Sequence, residues 1–247
     1  MLSKATLKYI QSLAHKKFRD QYGVFIAEGT KIIDELLKEG NIIPKIICGR
    51  AKWIEENKAL LAKSAIEELI EINEAELAKA SMLSTPNSVI GVFYSPQRKE
   101  SLFFKGKITL VLDDIRDPGN MGSIIRIADW FNIENIICSP SCVDYLNPKV
   151  IQSSMGSIGR VNIYYEDIAP LLQRNSSIQS FAAALNGKDI STITKIKEGL
   201  IIIGNESRGI TREIMNLANE KITIPKYGNA ESLNAAVATG IILSHLV

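Results

Sequence analysis

Apolar residues in the first 96 positions form short runs that alternate with amphipathic stretches. Runs such as VFIAEG and VIGVFY have the length and composition of buried strands, and the stretches between them have helical spacing. The pattern predicts strands at 24–29, 45–49, 66–72 and 89–94, and helices at 1–20, 30–40, 51–63 and 74–80. This part of the chain is therefore expected to be a small α/β module.

From Lys107 onward the strands become almost continuously apolar, as in ITLVL and LIIIG. Uninterrupted Ile, Val and Leu strands that alternate with helices are typical of a mostly parallel sheet covered on both faces. The predicted strands are 108–112, 135–139, 161–165, 178–185, 200–204 and 221–225. The predicted helices are 121–132, 148–156, 167–174, 210–219 and 232–246. The expected division of the chain is a module at 1–96, a linker at 97–106 and a second domain at 107–247.

Composition excludes several classes of protein. The chain has 247 residues, of which 46% are hydrophobic and 23% charged, so it is neither disordered nor low in complexity. Its formal net charge of +2 is far from that of a non-specific nucleic-acid binder. Any RNA or DNA contact is therefore expected from a local patch, and a candidate is the basic N-terminal stretch with Lys16, Lys17 and Arg19.

Cysteine and histidine usage argues against a disulfide framework and against a metal site. The three cysteines are an odd and sparse set, and only two histidines are available as further ligands. The N-terminus lacks the apolar core of a signal peptide, and no apolar run approaches 18 residues. These features lead us to expect a soluble cytoplasmic protein without a membrane segment or a metal.

Three polar loops follow strands of the predicted parallel sheet. We call them the first loop, DDIRDPGNMGS (113–123), the second loop, GNESRG (204–209), and the third loop, PKYGNAESLN (225–234). Ligands of such sheets bind outside the carboxyl ends of the strands. The loops combine Gly, Asn and carboxylates where a connection would need only a turn, which indicates a site.

Each loop also has a purely structural interpretation. The first loop could be a Pro-Gly corner between strand and helix, or an opening where a substrate approaches the backbone beside Arg126. Glu206 could pair with Arg208 or Arg212 on the surface, or face the crevice. Ser232 could be the N-cap of the last helix, a role compatible with ligand binding. That helix is apolar on nearly every face, which indicates burial in a core or against a second subunit.

Taken in order, the three loops and their flanks resemble a known family. LDDIRDPGNMGSIIRIADWF, LIIIGNESRGI and ITIPKYGNAESLNAAVATGIIL are similar to the three motifs of the SpoU/TrmH family of RNA ribose 2′-O-methyltransferases. YLNPKVIQSSMGSIGRVNIY resembles the middle segment of that family. KKFRDQYGVFIAEGTKIIDELL and LSTPNSVIGVF are similar to the substrate-binding module that often precedes the catalytic domain.

The resemblance implies a SPOUT domain whose C-terminal part forms a deep trefoil knot, with S-adenosylmethionine in the knotted loops, a homodimer through this domain, and structured RNA as substrate. rRNA is favoured over tRNA because of the preceding module. The resemblance also assigns site residues by motif. The catalytic residues it implies are Asn120, Arg126, Glu206, Ser232 and Asn234. The cofactor contacts it implies are Gly204, Asn205, Ile224, Pro225 and Leu233.

Chemistry narrows the roles of these residues. A ribose 2′-hydroxyl is a poor nucleophile, so the enzyme must align it with the methyl donor and help its proton leave. A guanidinium is not normally deprotonated, which favours Arg126 as the group that grips a phosphate and stabilises the developing alkoxide. Glu206 is then the more natural proton acceptor, unless it positions Arg126. The alternatives are a catalytically silent RNA-binding or ribosome-assembly factor on the same fold, a tRNA ribose methyltransferase, and methylation of a base nitrogen.

Overall fold

The computed structural model describes residues 2–97 and 103–247, which pack as two compact units. The first unit contains the described residues up to Gln97 together with Asp144–Arg160. The second contains the described residues from 103 to Val143 together with Val161–Val247. Half of the predicted linker, 98–102 of 97–106, lies outside the described residues.

The first unit is built on a mixed sheet, whose four strands the apolar runs predict. Its strands are β1 (Val24–Glu28), β2 (Pro44–Gly49), β3 (Glu68–Glu71) and β4 (Val89–Tyr94). The spatial order is β1-β4-β2-β3, in which β4 runs antiparallel to both neighbours and β2 is parallel to β3. The central strands β4 and β2 are buried along almost their entire length. The helices of this unit are α1 (Lys4–Ser12), α2 (Lys16–Tyr22), α3 (Thr30–Glu39), α4 (Ala51–Glu56), α5 (Lys58–Lys63), α6 (Glu74–Ala80) and α8 (Pro148–Ser154).

The single helix expected over 1–20 is interrupted between α1 and α2. The break exposes carbonyl groups at the end of α1, and the guanidinium of Arg19 caps two of them. Arg19 Nη1 donates to the carbonyl oxygens of Leu13 at 2.8 Å and Ala14 at 2.9 Å. Carbonyl groups at the end of a helix need hydrogen-bond donors, and the Arg19 guanidinium supplies them in place of the backbone N–H groups of a further turn.

Arg19 is thereby removed from the surface patch expected to contact RNA. Its side chain is 2% exposed, and its Nη2 donates to Asp144 Oδ2 at 2.6 Å. A guanidinium so enclosed is engaged with its own unit, so its assignment to RNA binding is corrected. Lys16 and Lys17, in contrast, are exposed on α2.

Asp144–Arg160 joins the first unit although its sequence neighbours belong to the second. Its helix α8 packs against β1, and Arg160 donates to Glu39 Oε1 at 2.9 Å. Gly156 has φ +93°, and a Cβ there would lie 2.7 Å from the Cβ of Glu35, so this contact with α3 requires glycine. The predicted division at residues 96 and 107 treats the chain as two continuous segments, whereas the packing brings this segment back to the first unit.

The second unit contains the expected parallel sheet, with the expected number of six strands. These are β5 (Ile108–Asp113), β6 (Asn135–Cys138), β7 (Asn162–Tyr165), β8 (Ser180–Asp189), β9 (Gly199–Gly204) and β10 (Glu220–Thr223). All five pairings are parallel, in the order β10-β8-β9-β5-β6-β7. The central strands β5 and β9 are buried along almost their entire length, as their apolar sequences predict. The helices are α7 (Pro118–Trp130), α9 (Ile168–Arg174), α10 (Arg212–Leu217) and α11 (Ala235–Leu246).

The last helix begins three residues later than expected. Its N-cap is Asn234, whose Oδ1 accepts from the N–H groups of Ala236 at 3.0 Å and Val237 at 3.2 Å. The expected N-cap, Ser232, lies in the exposed loop before it. Within the parts of the chain that the structure describes, no helix is both long enough and apolar enough to cross a membrane.

Replacing Asp144 by alanine is expected to lower the free energy of unfolding by about 3–5 kcal/mol, because it leaves the Arg19 guanidinium buried without its anion. Urea unfolding would measure the change. Asp20→Ala is the matched control, since it removes a carboxylate from the exposed Lys16–Asp20 pair and should cost less than about 1 kcal/mol. Equal effects of the two substitutions would contradict a structural role for the buried pair.

Candidate active site

The three loops meet at one edge of the second sheet. The first loop follows β5, the second follows β9, and the third follows β10. Because all pairings in this sheet are parallel, the carboxyl ends of these strands share one edge, and β5 and β9 are direct neighbours. This is the edge at which open parallel sheets bind ligands.

A chain of side-chain hydrogen bonds joins the three loops. Asn234 of the third loop donates through Nδ2 to Oδ1 of Asn120 in the first loop, at 2.7 Å. Asn120 in turn donates through its own Nδ2 to Oε1 of Glu206 in the second loop. Glu206 therefore bonds to Asn120 across the site, not to Arg208 or Arg212 as the structural alternative proposed. We refer to these three residues as the Asn234–Asn120–Glu206 chain.

Helix capping fixes both asparagines of this chain. Asp117 is the N-cap of α7, Pro118 follows at the first helical position, and the backbone N–H of Asn120 donates to Asp117 Oδ1 at 2.8 Å. Asn234 is itself the N-cap of α11, so its oxygen holds the helix while its amide nitrogen reaches Asn120. Both site amides thus come from the first turn or cap of a rigid helix.

The second loop closes tightly around a glycine and an asparagine. Asn205 and Gly209 exchange two backbone hydrogen bonds, and a Cβ on Gly204 would lie 2.3 Å from the backbone nitrogen of Ile210. The Asn205 side chain accepts from the N–H groups of Ser207 and Arg208 and donates to the Asp114 carbonyl at 2.9 Å. Asn205, expected as a cofactor contact, therefore links the first and second loops through its side chain.

Asp114 adopts a left-handed backbone conformation, with φ +59°, at the start of the first loop. Its N–H donates to Ser139 Oγ at 2.9 Å, and its Oδ1 accepts from Arg116 Nε at 2.7 Å. Burial alone would raise the pKa of this carboxyl, but hydrogen bonds from Arg116 and Ser141, with the positive charges of Arg116 and Arg208, lower it below the usual value. Asp114 is therefore an anion at neutral pH.

Sequence reasoning missed the residues that support the first loop from β6. Ser139 accepts from the Asp114 N–H, and the Cys142 sulfur accepts from the Ile115 N–H at 3.3 Å. Cys142 was considered only as a metal or disulfide residue. The available signal was position, since both residues follow β6, the neighbour of β5, at the same edge of the sheet.

The remaining predicted residues do not all join the hydrogen-bonded chain. Arg126 is exposed on α7, six residues after Asn120, which is about 120° away around the helix. Among the described residues, no hydrogen bond or ion pair links Arg126 with Asn120 or Glu206. Ser232 and Leu233 are exposed in the third loop, whereas Ile224 and Pro225 are half-buried just after β10. No group of three or more potential metal ligands occurs in the described ranges.

Gly204→Ala is expected to lower the free energy of unfolding by about 1–3 kcal/mol or more, since the added methyl group overlaps the backbone at Gly209 and Ile210. Thermal and urea unfolding would measure it. Gly228→Ala, in the third loop, is the control because no atom lies within 4 Å of the Cβ it would add. Unchanged stability in Gly204→Ala would show that the second loop is not as tightly closed as described.

Comparison with known proteins supports the expected family. Residues 107–244 match the model of the SpoU rRNA methylase family, and residues 4–91 match that of the MRM3-like substrate binding domain. The 23S rRNA (guanosine(2553)-2′-O)-methyltransferase RlmP of Bacillus subtilis is 26% identical over 239 residues, which cover 96% of this chain and 93% of that protein. An uncharacterized tRNA/rRNA methyltransferase of Synechocystis is 29% identical over 244 residues, covering 96% of this chain and 88% of the relative.

Solved structures of similar proteins superimpose on almost the full length of this chain. An AdoMet-bound rRNA methyltransferase from Sinorhizobium meliloti superimposes with a TM-score of 0.86 at 30% identity, covering 99% of this chain and 95% of that one. A structure described as a putative RNA methyltransferase of the TrmH family, from Porphyromonas gingivalis, gives a TM-score of 0.84 at 30% identity, with 99% and 98% covered. The family model alone spans more than half of the chain. The motifs, the fold and these relatives together show that this chain belongs to the SpoU rRNA methylase family.

Proposed function

We propose that this chain is an enzyme that transfers a methyl group from S-adenosylmethionine to a ribose 2′-hydroxyl of rRNA. The observation that carries the proposal is the Asn234–Asn120–Glu206 chain, in which one polar residue from each of the three family motifs takes part. Relatives named for rRNA ribose methylation and a neighbour with AdoMet bound support the reaction and the cofactor.

The residues assigned by the family motifs to the cofactor suit S-adenosylmethionine. Exposed Leu233 and half-buried Ile224 and Pro225 offer apolar contacts for an adenine ring, and the tight turn at Gly204 offers backbone groups. Gly204, Asn205, Ile224, Pro225 and Leu233 remain our candidates for holding the cofactor. When bound, S-adenosylmethionine supplies an electrophilic methyl group on a positively charged sulfur.

The protein residues have to orient the ribose and receive its proton. In the transfer the ribose oxygen forms a bond to the methyl carbon, the carbon–sulfur bond breaks, and the hydroxyl proton leaves. Glu206 is the carboxylate in the hydrogen-bonded chain, which makes it our candidate for the proton acceptor. Asn120, Ser232 and Asn234 would orient the ribose and Glu206. Asn120 already donates to Glu206, and Asn234 donates to Asn120.

Arg126 is assigned to the RNA. Its exposed guanidinium, without a bond to Asn120 or Glu206 among the described residues, suits a group that grips the phosphate beside the target ribose. The exposed Lys16 and Lys17 on α2 supply further phosphate contacts. Deleting residues 1–19 would not test this, because the same segment contains the buried core residues Ile10 and Leu13.

The assembly and the knot also belong to this proposal. In the second unit α7 packs on α11, and these helices expose Trp130 (85%) and Val237 (49%), which favours a homodimer through these two helices. The end of α11 lies beside the segment before β9, because the Ile196 N–H donates to the Leu246 carbonyl at 2.7 Å, and the trefoil knot is proposed from the family resemblance. We expect the enzyme to act in the cytoplasm, where ribosomal RNA is found.

A transfer assay with tritiated S-adenosylmethionine and deproteinised rRNA tests the reaction. Labelled, nuclease-resistant dinucleotides are expected, because a 2′-O-methyl group blocks cleavage at its own nucleotide. Label that is recovered only on a base would contradict ribose methylation and show methylation of a base. Absence of transfer with intact cofactor binding would favour the silent RNA-binding factor.

Arg126→Ala is expected to lower kcat/KM for RNA methylation by about 10²-fold or more, because it removes a cationic donor for the phosphate and the developing alkoxide. Calorimetry should show S-adenosylmethionine affinity within about twofold of the original. Arg174→Ala, on α9, is the control for loss of an exposed arginine. Full activity in Arg126→Ala would remove Arg126 from the mechanism.

Reversing the charge of Lys16 and Lys17 together should weaken RNA binding and flatten its dependence on salt, by about 0.7–0.9 in the logarithmic slope for each lost phosphate contact. Fluorescence anisotropy with labelled rRNA fragments at several KCl concentrations would measure the slope. Cofactor affinity should stay the same. A slope equal to that of the unaltered protein would exclude α2 from the RNA surface.

A further inference from the structure

Two arginines lie next to the Asn234–Asn120–Glu206 chain and have no part in the mechanism above. Arg116 belongs to the first loop, four residues before Asn120. Arg208 belongs to the second loop, two residues after Glu206. The side chain of Arg116 is 58% exposed, and Arg208 is exposed as well.

Asp114 is bonded to the side chain of Arg116 and is linked through Asn205 to the backbone of Arg208. Arg116 donates through Nε to Asp114 Oδ1 at 2.7 Å. Arg208 is tied to the same residue through the backbone, because its N–H donates to Asn205 Oδ1 at 3.1 Å and Asn205 Nδ2 donates to the Asp114 carbonyl at 2.9 Å. The first loop therefore holds the Arg116 guanidinium at the carboxylate, and the second loop anchors the backbone of Arg208 close to the same residue.

The position of that carboxylate is fixed by the fold. Asp114 is 9% exposed and has a left-handed backbone, and its N–H and C=O are bonded to Ser139 and Asn205. Burial would raise the pKa of Asp114, but hydrogen bonds from Arg116 and Ser141 and the positive charges of Arg116 and Arg208 lower it, so the group is an anion at neutral pH. The carboxylate can thus align cations that are themselves exposed.

We propose that Arg116 and Arg208 form an anion-binding pair that holds a backbone phosphate of the RNA substrate beside the active site. The bond from Arg116 to Asp114 uses Nε, and both arginines are exposed, so further guanidinium N–H groups can donate to an anion. Guanidinium groups bind phosphate oxygens through a planar fork of N–H donors. Because Asp114 restrains Arg116 beforehand, less side-chain entropy is lost when the phosphate binds.

This inference rests on the proposed RNA substrate. Arg116 and Arg208 are not among the catalytic and cofactor-binding residues that were assigned above. It predicts a contact that recognises the sugar–phosphate backbone and not a base. Such contacts contribute affinity and salt dependence without discriminating sequence. A generic structured RNA is therefore a suitable probe.

The test uses Arg116→Gln, Arg208→Gln and the double variant, with a fluorescein-labelled RNA hairpin followed by anisotropy between about 50 and 200 mM KCl. Each single variant is expected to reduce the logarithmic salt slope by about 0.7–0.9, which corresponds to about sixfold weaker binding at 0.1 M salt. The double variant should lose about twice that slope. Arg116→Lys should retain most of the slope, since it keeps the charge.

Lys197→Gln is the matched control. It removes one exposed positive charge just before β9 begins, at the opposite edge of the same sheet. Its salt slope should equal that of the unaltered protein. An effect as large as that of Arg116→Gln would show that any lost charge on this unit has the same result, and would overturn the pair.

Cofactor affinity and thermal unfolding of the same samples separate binding from folding. Unchanged values with a reduced slope support the pair, and an unchanged slope in the double variant with intact cofactor affinity overturns it. If the substitutions disturb folding, Arg116→Lys still decides, because a slope as low as that of Arg116→Gln would exclude a charge-dependent contact. Failure of the proposed function has a different signature, namely no methyl transfer by the unaltered protein whatever its salt slope.

Discussion

The site depends on the directed hydrogen bonds that run from Asn234 through Asn120 to Glu206. Each asparagine donates to the next oxygen, and the chain ends on a carboxylate. Glu206 lies 86 residues and Asn234 lies 114 residues after Asn120 in the sequence, so only the folded sheet brings the three residues together. A shift of any one loop breaks a bond at another, and the three loops therefore hold one another in place.

Helix capping and substrate positioning share the same atoms in this site. Asn234 uses its oxygen to cap α11 and its amide nitrogen to reach Asn120, and Asp117 caps α7 through the backbone of Asn120. Aspartate at 234 would retain the cap but could not donate. The need for an amide at this position comes from the site, whereas the need for a short polar side chain comes from the helix.

Local patterns predict most of the strands and the position of the site, because apolar runs and polar strand ends are properties of neighbouring residues. The expected strand 89–94 has the same bounds in the structure, and the three loops indeed lie at one edge. What could not be predicted depends on distant partners. Arg19 is buried because Asp144 lies beside it, 125 residues later, and no local signal announces that contact.

The same long-range effect explains why the segment around α8 and the support from β6 were missed. Asp144–Arg160 has the composition of its sequence neighbours, yet it packs on β1 and α3 through Gly156 and Arg160. Ser139 and Cys142 look like ordinary loop residues until β6 is paired with β5. Pairing partners are set by the whole sheet, and a single sequence specifies them only through the fold.

Two arginine–aspartate pairs show how burial changes the role of one chemical contact. Arg19 is 2% exposed and directs its donors to Asp144 and to the end of α1, so its charge is neutralised inside its own unit. Arg116 bonds to Asp114 through one nitrogen and stays 58% exposed, so most of its donors face outward. With a net charge of only +2, the protein cannot attract RNA through its overall field. Affinity for RNA therefore has to come from a few exposed cations fixed in position, and a restrained arginine beside a buried carboxylate is one way to fix them.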